Sequence, residues 1–405
     1  SNLSATRIDR AGLIVKGREN LLLQSNQFDT TWTNVASYET SGQSGYDGTN
    51  DAWLLSKSAS SARIQQSVSQ SGVQTFSLFA KAGTLNWVRL NVDSAWAYYD
   101  LANGVVGSNI NNIVDHNIYD IGGGWYRCEL VINLTASICR IYPAQNDGDV
   151  GGTSGNIVIQ DAQLEQGLVA TDYIETTTTT GKAGVLENTP RLNYTTGVAN
   201  PYLLLEPSRS NLITQSEYFD SWSFKTGISA TSNDLISVEG KLNATKIETT
   251  ASGSRFIGNN YTLSTGDNSF SVFAKKGSTN WIYLNVIKDG SNNWNFSFDL
   301  ENGVLGQSLS SAYSVTAKIE DYGSGWYRIT ATANVTSAGS FTARIYPADS
   351  ATDVSTSIGD NVYIYGAQLE AGSYPTSYIP TYSVSATRAN EITSKTGASD
   401  VIGQS

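Results

Sequence analysis

The sequence predicts an all-β protein built of two tandem jelly-roll β-sandwich domains. Three observations carry this. The chain repeats itself once, collinearly, over most of its length. Within each copy, short apolar-polar alternations are punctuated by Gly, Asn and Ser about every dozen residues. No 3.6-residue apolar period persists beyond a turn or two.

The repeat is read block by block. Asn20-Leu21, Ser25, Phe28 and Trp32 match Asn211-Leu212, Ser216, Phe219 and Trp222. Phe79-Ala80-Lys81 matches Phe273-Ala274-Lys275, and Asn86-Trp87 with Leu90-Asn91-Val92 matches Asn280-Trp281 with Leu284-Asn285-Val286. Asp100-Leu101 and Asn103-Gly104-Val105 match Asp299-Leu300 and Asn302-Gly303-Val304. Gly124-Trp125-Tyr126-Arg127, Arg140-Ile141-Tyr142-Pro143-Ala144 and Ala162-Gln163-Leu164-Glu165 recur as residues 325–328, 344–348 and 367–370. The spacing between partners lengthens along the chain, so insertions fall between blocks, as loops diverge while strands keep register.

These blocks divide the chain into an N-terminal junction (1–18), a first module (19–175), a Thr-rich linker and connecting segment (176–201), a second module (202–383) and a C-terminal junction (384–405). The run Thr176 to Thr180 reads as an extended linker with no side chain to bury. Segment 182–208, with the apolar run Tyr202 to Leu205, is expected to dock on the second copy. Ser4-Ala5-Thr6-Arg7 recurs as Ser385-Ala386-Thr387-Arg388, and the chain has no methionine. With no signal pattern at the N-terminus, the alternatives are exit by another route, such as lysis, and ends that are not native. Both observations favour the second, and the expectation is a longer array whose neighbours cover part of the surface, with a further module after Asn390 to Ser405.

Alternation assigns faces. Val88, Leu90 and Val92 form one aliphatic row, as do Ile282, Leu284 and Val286, and these rows face the core. Trp87, Arg89 and Asn91, like Trp281, Tyr283 and Asn285, then point outward. On the next strand Ala95, Ala97, Tyr99 and Leu101 point inward with Trp294, Phe296, Phe298 and Leu300. Trp96 and Tyr98 point outward, where the second copy has Asn295 and Ser297. Asn103-Gly104 and Asn302-Gly303 predict type I′ hairpin turns. Gly122-Gly123-Gly124 predicts a tight turn before a strand with Trp125 and Arg127 on one face and Tyr126 and Cys128 on the other.

Composition excludes several functions. Charged residues make up 15% and the net charge is −11, so a phosphate backbone is repelled and nucleic acid is a poor partner. No apolar run approaches the ~20 residues of a membrane helix. One histidine, His116, in a loop-like stretch between Asp115 and Asn117, and two cysteines do not make a transition-metal site. A hairpin turning at Asn133-Leu134 would set Cys128 opposite Cys139 and allow one bridge. Ile329 and Ala343 at the matching positions favour two small buried side chains instead. For glycoside hydrolysis, Glu165 with Asp161 is a candidate pair, but Asp161 corresponds to Gly366. Lyase chemistry on Tyr and Arg stays open, since the chain has 22 tyrosines. No nucleophile elbow, phosphate loop, dinucleotide fingerprint or EF-hand spacing occurs. The expectation is a chain that binds and does not catalyse.

What remains is an aromatic, amide-rich outer face. Sugar C–H groups pack on flat rings, and sugar hydroxyls need partners such as Arg and Asn. The candidate glycan-binding residues are Trp87, Arg89, Asn91, Trp96, Tyr98 and Arg140 in the first copy, and Trp281, Tyr283 and Asn285 in the second. Cover by a loop or a neighbouring subunit is the competing account of the same aromatics. The first copy has two more outward rings, so it is the expected binder and the second a spacer.

Phe76 to Gly83, Gly124 to Arg127, Arg140 to Ala144, Ala162 to Gly167 and Tyr202 to Leu212 together resemble repeat modules of phage fibre and other virion structural proteins. Those modules are in turn similar to jelly-roll carbohydrate-binding modules of galactose-binding-like or lectin-like fold. The resemblance implies a virion or extracellular location, a glycan or polysaccharide ligand for host-surface attachment, and homo-oligomeric association with other fibre or virion chains. It also implies a structural calcium, which the Asp161/Gly366 difference does not support in both copies. The alternative is an accessory carbohydrate-binding pair of a secreted polysaccharide-degrading enzyme. A third reading is an enzyme acting on polysaccharide.

Overall fold

The computed structural model describes residues 3–110, 112–195, 198–309 and 312–391. Each copy is a jelly-roll sandwich of two six-stranded antiparallel sheets. The front sheet of the first module runs Val105–Asn109, Ala95–Asp100, Trp87–Val92, Ala136–Ala144, Arg63–Gln70, Thr33–Val35. Its back sheet runs Asp115–Gly122, Trp125–Asn133, Val73–Ala82, Asn156–Gln166, Ala52–Lys57, Ser37–Gln43. The second module repeats both orders strand for strand, its front sheet from Val304–Leu305 through Asn292–Asp299, Trp281–Asp289, Gly339–Ala348 and Phe256–Leu263 to Phe224–Thr226. Among the described residues the helical content is one 3-10 turn, Phe219–Ser221.

The cores lie where alternation puts them. Val88, Leu90, Ile282 and Leu284 are fully buried, as are Ala95, Ala97, Tyr99, Trp294 and Phe298. Each such large side chain stabilises its sandwich by about 1.5–3 kcal/mol. Phe296 is only partly buried against the same core.

Several local expectations change. Strands Trp125–Asn133 and Ala136–Ala144 are not a hairpin, because they belong to different sheets. Cys128 and Cys139 are free and buried, as Ile329 and Ala343 foreshadow. The Asn-Gly turns are not type I′. Gly104 and Gly303 have φ of +66° and +64°, but their asparagines keep negative φ, because Asp100 and Asp299 cap a longer turn. Asp100 Oδ1 accepts from the amides of Ala102 and Asn103, and the Gly104 amide donates to Asp100 O. A Cβ at Gly104 would come within 2.6 Å of the Tyr126 ring. The glycine triplet does hold the tight turn, with Gly123 and Gly124 at φ +64° and +80°. His116 is a half-buried strand residue, its Nε2 3.3 Å from Asn109 Nδ2 and 3.4 Å from Gly107 O.

The repeated motifs are internal struts. Asn20 Nδ2 donates to Ala162 O and Ile174 O, and Asn211 Nδ2 to Ala367 O and Ile379 O. Gln163 Oε1 accepts from the Ile174 amide, and Gln368 Oε1 from the Ile379 amide. Glu165 takes the amide and hydroxyl of Thr171, and Glu370 those of Thr376. Arg127 and Arg328 donate to Thr171 O and Thr376 O. Each module exit is thus clamped to its own entry by bonds that satisfy buried polar groups.

The segments outside the sandwiches are built in as well. Thr6–Ile8, Ile14–Asn20 and Gly181–Gly184 form a three-stranded sheet. The Thr run is held at its ends, where Thr176 Oγ1 accepts from the Ser25 amide and Thr180 Oγ1 donates to Glu19 at the side-chain level, while Thr177, Thr178 and Thr179 are exposed. Segment 182–208 docks through charge. Arg191 contacts Thr6 O, Ser377 Oγ, Glu206 and Glu391, whereas Tyr202, Leu203 and Leu205 stay exposed. Of the repeated end motif, Thr6 Oγ1 donates to Tyr378 O and Arg388 is fully buried beside Glu206. Residues 392–405, which include most of the expected leader into a further module, lie outside the described residues.

Candidate functional site

The front sheet of the first module carries the candidate face. Register sets its side chains in cross-strand rows. Trp96, Asn91, Arg140 and Gln65 lie opposite one another in sequence of strands, as do Tyr98, Arg89 and Tyr142, and Asp100, Trp87 and Ala144. Extending the middle row by one strand adds Arg63, whose guanidinium lies 5.6 Å from the Tyr142 centroid. Guanidinium and ring therefore alternate along this row.

Arg89 is the centre of the row. Its guanidinium lies 4.5 Å from the Tyr142 centroid, 5.6 Å from Trp96 and 5.8 Å from Tyr98. Such contacts contribute about 0.5–2 kcal/mol each, depending on desolvation. No hydrogen-bond acceptor among the described residues meets Arg89, and its Nε is buried without a partner. Arg140 Nη1 donates to Asn91 Oδ1 at 2.8 Å. Arg63 Nε donates to Gln65 Oε1 at 2.9 Å.

The two tryptophans are half-buried. Trp96 packs edge-on against Tyr98, with centroids 5.5 Å apart. Trp87 lies against Gly107, where a Cβ would be 2.5 Å from its Cζ3, so glycine lets the indole rest on backbone. Tyr98 is on the expected side of the sheet but is 2% exposed, and Asn91 is also 2% exposed. Asn91 Nδ2 already donates to Asp93 O and Ala95 O. Tyr98 and Asn91 are thus covered, and the open part of the face is carried by Trp87, Arg89, Trp96 and Arg140.

The second module builds the same rows from other residues. Asn295, Asn285 and Arg344 stand where Trp96, Asn91 and Arg140 do, and Ser297, Tyr283 and Tyr346 where Tyr98, Arg89 and Tyr142 do. The Tyr283 hydroxyl and Ser297 Oγ both donate to Ala351 O, so the loop after Ala348 lies across this row. Tyr283 is 1% exposed and, like Tyr98, is covered. Trp281 is half-buried against the cluster of Tyr283, Tyr346 and Ala348, and Asn285 Nδ2 donates to Trp294 O. In the first module Asp147 Oδ1 ties the corresponding loop to the Ser108 amide and hydroxyl.

Sequence reading missed Arg63 and Tyr142. The signal was present: Ile64 and Ile141 are core residues, so their neighbours must point outward.

The carboxylates considered for catalysis are engaged elsewhere. Glu165 accepts from Gln163 and twice from Thr171 in the buried strut. Asp161 accepts the Tyr46 hydroxyl at 2.8 Å, and burial pushes its pKa up to about 7. Asp161 and Gly366 share one backbone requirement. They lie at φ +53° and +57°, in matching bulges of the Asn156–Gln166 and Asn361–Ala371 strands. Glycine and aspartate both tolerate that region, so the substitution keeps the bulge while changing the side chain. No group of three or more His, Cys, Asp and Glu among the described residues is placed to hold a metal ion.

No protein-family model matches the chain, and no curated protein gives a significant sequence match. Among solved structures, the N-terminal CBM22-1–CBM22-2 tandem domain of Paenibacillus barcinonensis Xyn10C is similar at 11% identity. Its TM-score is 0.25, over 91% of this chain and 99% of that one. An exo-β-1,3-galactanase from Phanerochaete chrysosporium with β-1,3-galactotriose is similar at 8% identity and a TM-score of 0.21, over 89% and 68%. The plant receptor-like kinase FER gives 7% and 0.22, over 87% and 93%. At such values these likenesses carry no argument about ligand or activity. The fold rests on the strands described above.

Proposed function

We propose that the chain is a non-catalytic segment of a virion fibre or similar extracellular appendage whose first module attaches to a host-surface glycan. The observation that carries the reading is the front face of that module. Two half-buried tryptophans flank a guanidinium that is held by rings and meets no acceptor among the described residues. Rings supply stacking area for pyranose C–H faces, and a guanidinium supplies several donors to hydroxyl or carboxylate oxygens. The second module then acts as a spacer, its matching row closed by its own loop. The test is affinity electrophoresis of the full chain against host-surface and algal polysaccharides, with the Trp87→Ala/Trp96→Ala double variant in parallel. Retardation by at least one polymer that the double variant loses supports the reading. No retardation by any polymer, or retardation unchanged in the double variant, overturns it.

A further inference from the structure

We infer that the ligand of this face is an acidic saccharide, a chain carrying uronic-acid carboxylates, with Arg89 as the group that takes the carboxylate. The inference rests on the glycan-binding reading and narrows it to one chemical class.

The chain carries a net charge of −11, yet Arg63, Arg89 and Arg140 gather on this one face. None of the three forms an ion pair among the described residues. The nearby carboxylates are turned to other donors. Asp93 accepts from the Ser137 amide and hydroxyl, Asp100 from its own turn, and Asp147 from Ser108. Three cations are therefore presented on one face with none of them in a direct ion pair among the described residues.

Arg89 is prepared for a carboxylate in a second way. Rings fix its plane from Tyr142, Trp96 and Tyr98 without using any of its N–H donors. Its Nε is buried and unpaired, while its Nη atoms are not among the buried orphans and reach the surface. The Nη donors are the ones a ligand oxygen can reach. A planar fork of this kind matches a carboxylate through two parallel bonds. A neutral sugar would use the same donors singly and leave the charge unmet.

The second module shows the same sheet without this arrangement. Tyr283 stands in place of Arg89 and Phe256 in place of Arg63. Arg344 remains, stacked 4.5 Å from Phe256, with Nη1 3.4 Å from the Tyr346 hydroxyl. Sheet geometry alone thus does not require three arginines on this face.

The experiment is isothermal titration of the full chain with polygalacturonate, alginate and hyaluronan, each beside its carboxyl-reduced counterpart, and with neutral glucans and galactans. Binding to at least one native polyuronate, tenfold or more weaker for its reduced form, is expected. Arg89→Gln should remove that preference, Arg89→Lys should restore part of it, and Arg344→Gln should leave it unchanged. Melting temperature and far-UV circular dichroism establish that each variant is folded. Equal binding of native and reduced polymers, or binding to neutral polymers alone, overturns the acidic ligand and leaves the glycan reading standing. Native-polyuronate binding that survives Arg89→Gln overturns the role of Arg89. Binding to no polymer in either form overturns both.

Discussion

The Lys16 ammonium lies 2.8 Å from a carboxylate oxygen of Glu217, although one stands before the first module and the other inside the second. Glu239 approaches to the same 2.8 Å, and the Tyr365 hydroxyl to 3.1 Å. All three charged side chains are removed from water. Burial alone would lower the Lys16 pKa, but the two carboxylates outweigh it and raise the pKa, so the lysine stays charged. Ile14 packs beside it on Phe273, Trp326 and Tyr378, and so ties the N-terminal strand to the second sandwich.

Removing the cation should therefore be severe. Lys16→Met leaves two buried carboxylates facing each other, and breaking a buried pair of this kind costs about 3–5 kcal/mol. Adding Glu217→Gln and Glu239→Gln should recover much of that loss, since neutral amides have no charge to strand. Urea denaturation of the wild type, the single and the triple variant checks this. A single variant within 1 kcal/mol of wild type would show that the three groups are not coupled as the geometry requires.

The modules also touch backbone to backbone. The Val73 amide donates to Tyr382 O, and a Cβ on Gly72 would fall 1.4 Å from that same oxygen. Gly72→Ala should pry the contact apart and expose the Val131, Leu168 and Tyr382 cluster. Gly42→Ala is the control, because Gly42 has a similar positive φ of +83° with nothing within 4 Å of its Cβ position. Limited proteolysis and small-angle scattering should show loosening for Gly72→Ala only. Equal loosening in both would assign the effect to backbone strain and not to the module contact.

These contacts mark where sequence stops being legible. Parity along Trp87–Val92 places each side chain on its side of the sheet, because the pleat is local. Whether Tyr98 is open or covered depends on loops far away in the chain, so its burial could not be read. Nothing in Ile14–Asn20 names Glu217, 201 residues later, as the partner of Lys16. The recurrence of Asn20, Gln163 and Glu165 was plain, but recurrence does not say that they clamp an exit strand. Asn103-Gly104 misled for a shorter-range reason: Asp100 caps the turn and lengthens it.

Asp161 predicts an unusual pH dependence. Its folded pKa of about 7, raised by burial first and by Asp51 and Asp47 further, exceeds its ordinary 3.8. Between those two values the folded chain holds a proton that the unfolded chain has released. Stability from this group therefore falls as pH rises from about 4 to about 7 and levels off above. Glu129, also pushed up to about 7 by burial, acts in the same direction. Asp161→Asn keeps a side chain that accepts the Tyr46 hydroxyl and tolerates positive φ. It should raise the melting temperature at pH 8 by a few degrees, at roughly 2–4 °C per kcal/mol, and change little at pH 4. Asp161→Asn/Glu129→Gln should flatten the profile further. A difference in melting temperature between wild type and Asp161→Asn that stays constant from pH 4 to 8 would contradict the assignment.

The asymmetry of the two front faces leads to the last prediction, which separates a stacking role from a packing role for the tryptophans. Separate expression of the halves would not test it, because Lys16 belongs to the interface of the second sandwich and Tyr382 O to that of the first. Point variants in the full chain avoid this. A ring that stacks on sugar contributes ~1 kcal/mol beyond its burial, and about 1.4 kcal/mol is a factor of ten. Trp87→Ala and Trp96→Ala should each weaken polysaccharide binding by roughly fivefold to tenfold, and the pair by roughly thirtyfold or more, if the two rings act on different sugar units. Trp281→Ala should leave affinity unchanged. The row beside it is closed by the loop that Tyr283 and Ser297 hold through Ala351 O, and the site of Trp96 is filled there by Asn295. Titration with one binding polymer, paired with a melting temperature for each variant, decides between the roles. Lower stability with unchanged affinity in Trp87→Ala and Trp96→Ala would make these rings packing elements, and equal loss from Trp281→Ala would place the site on both modules.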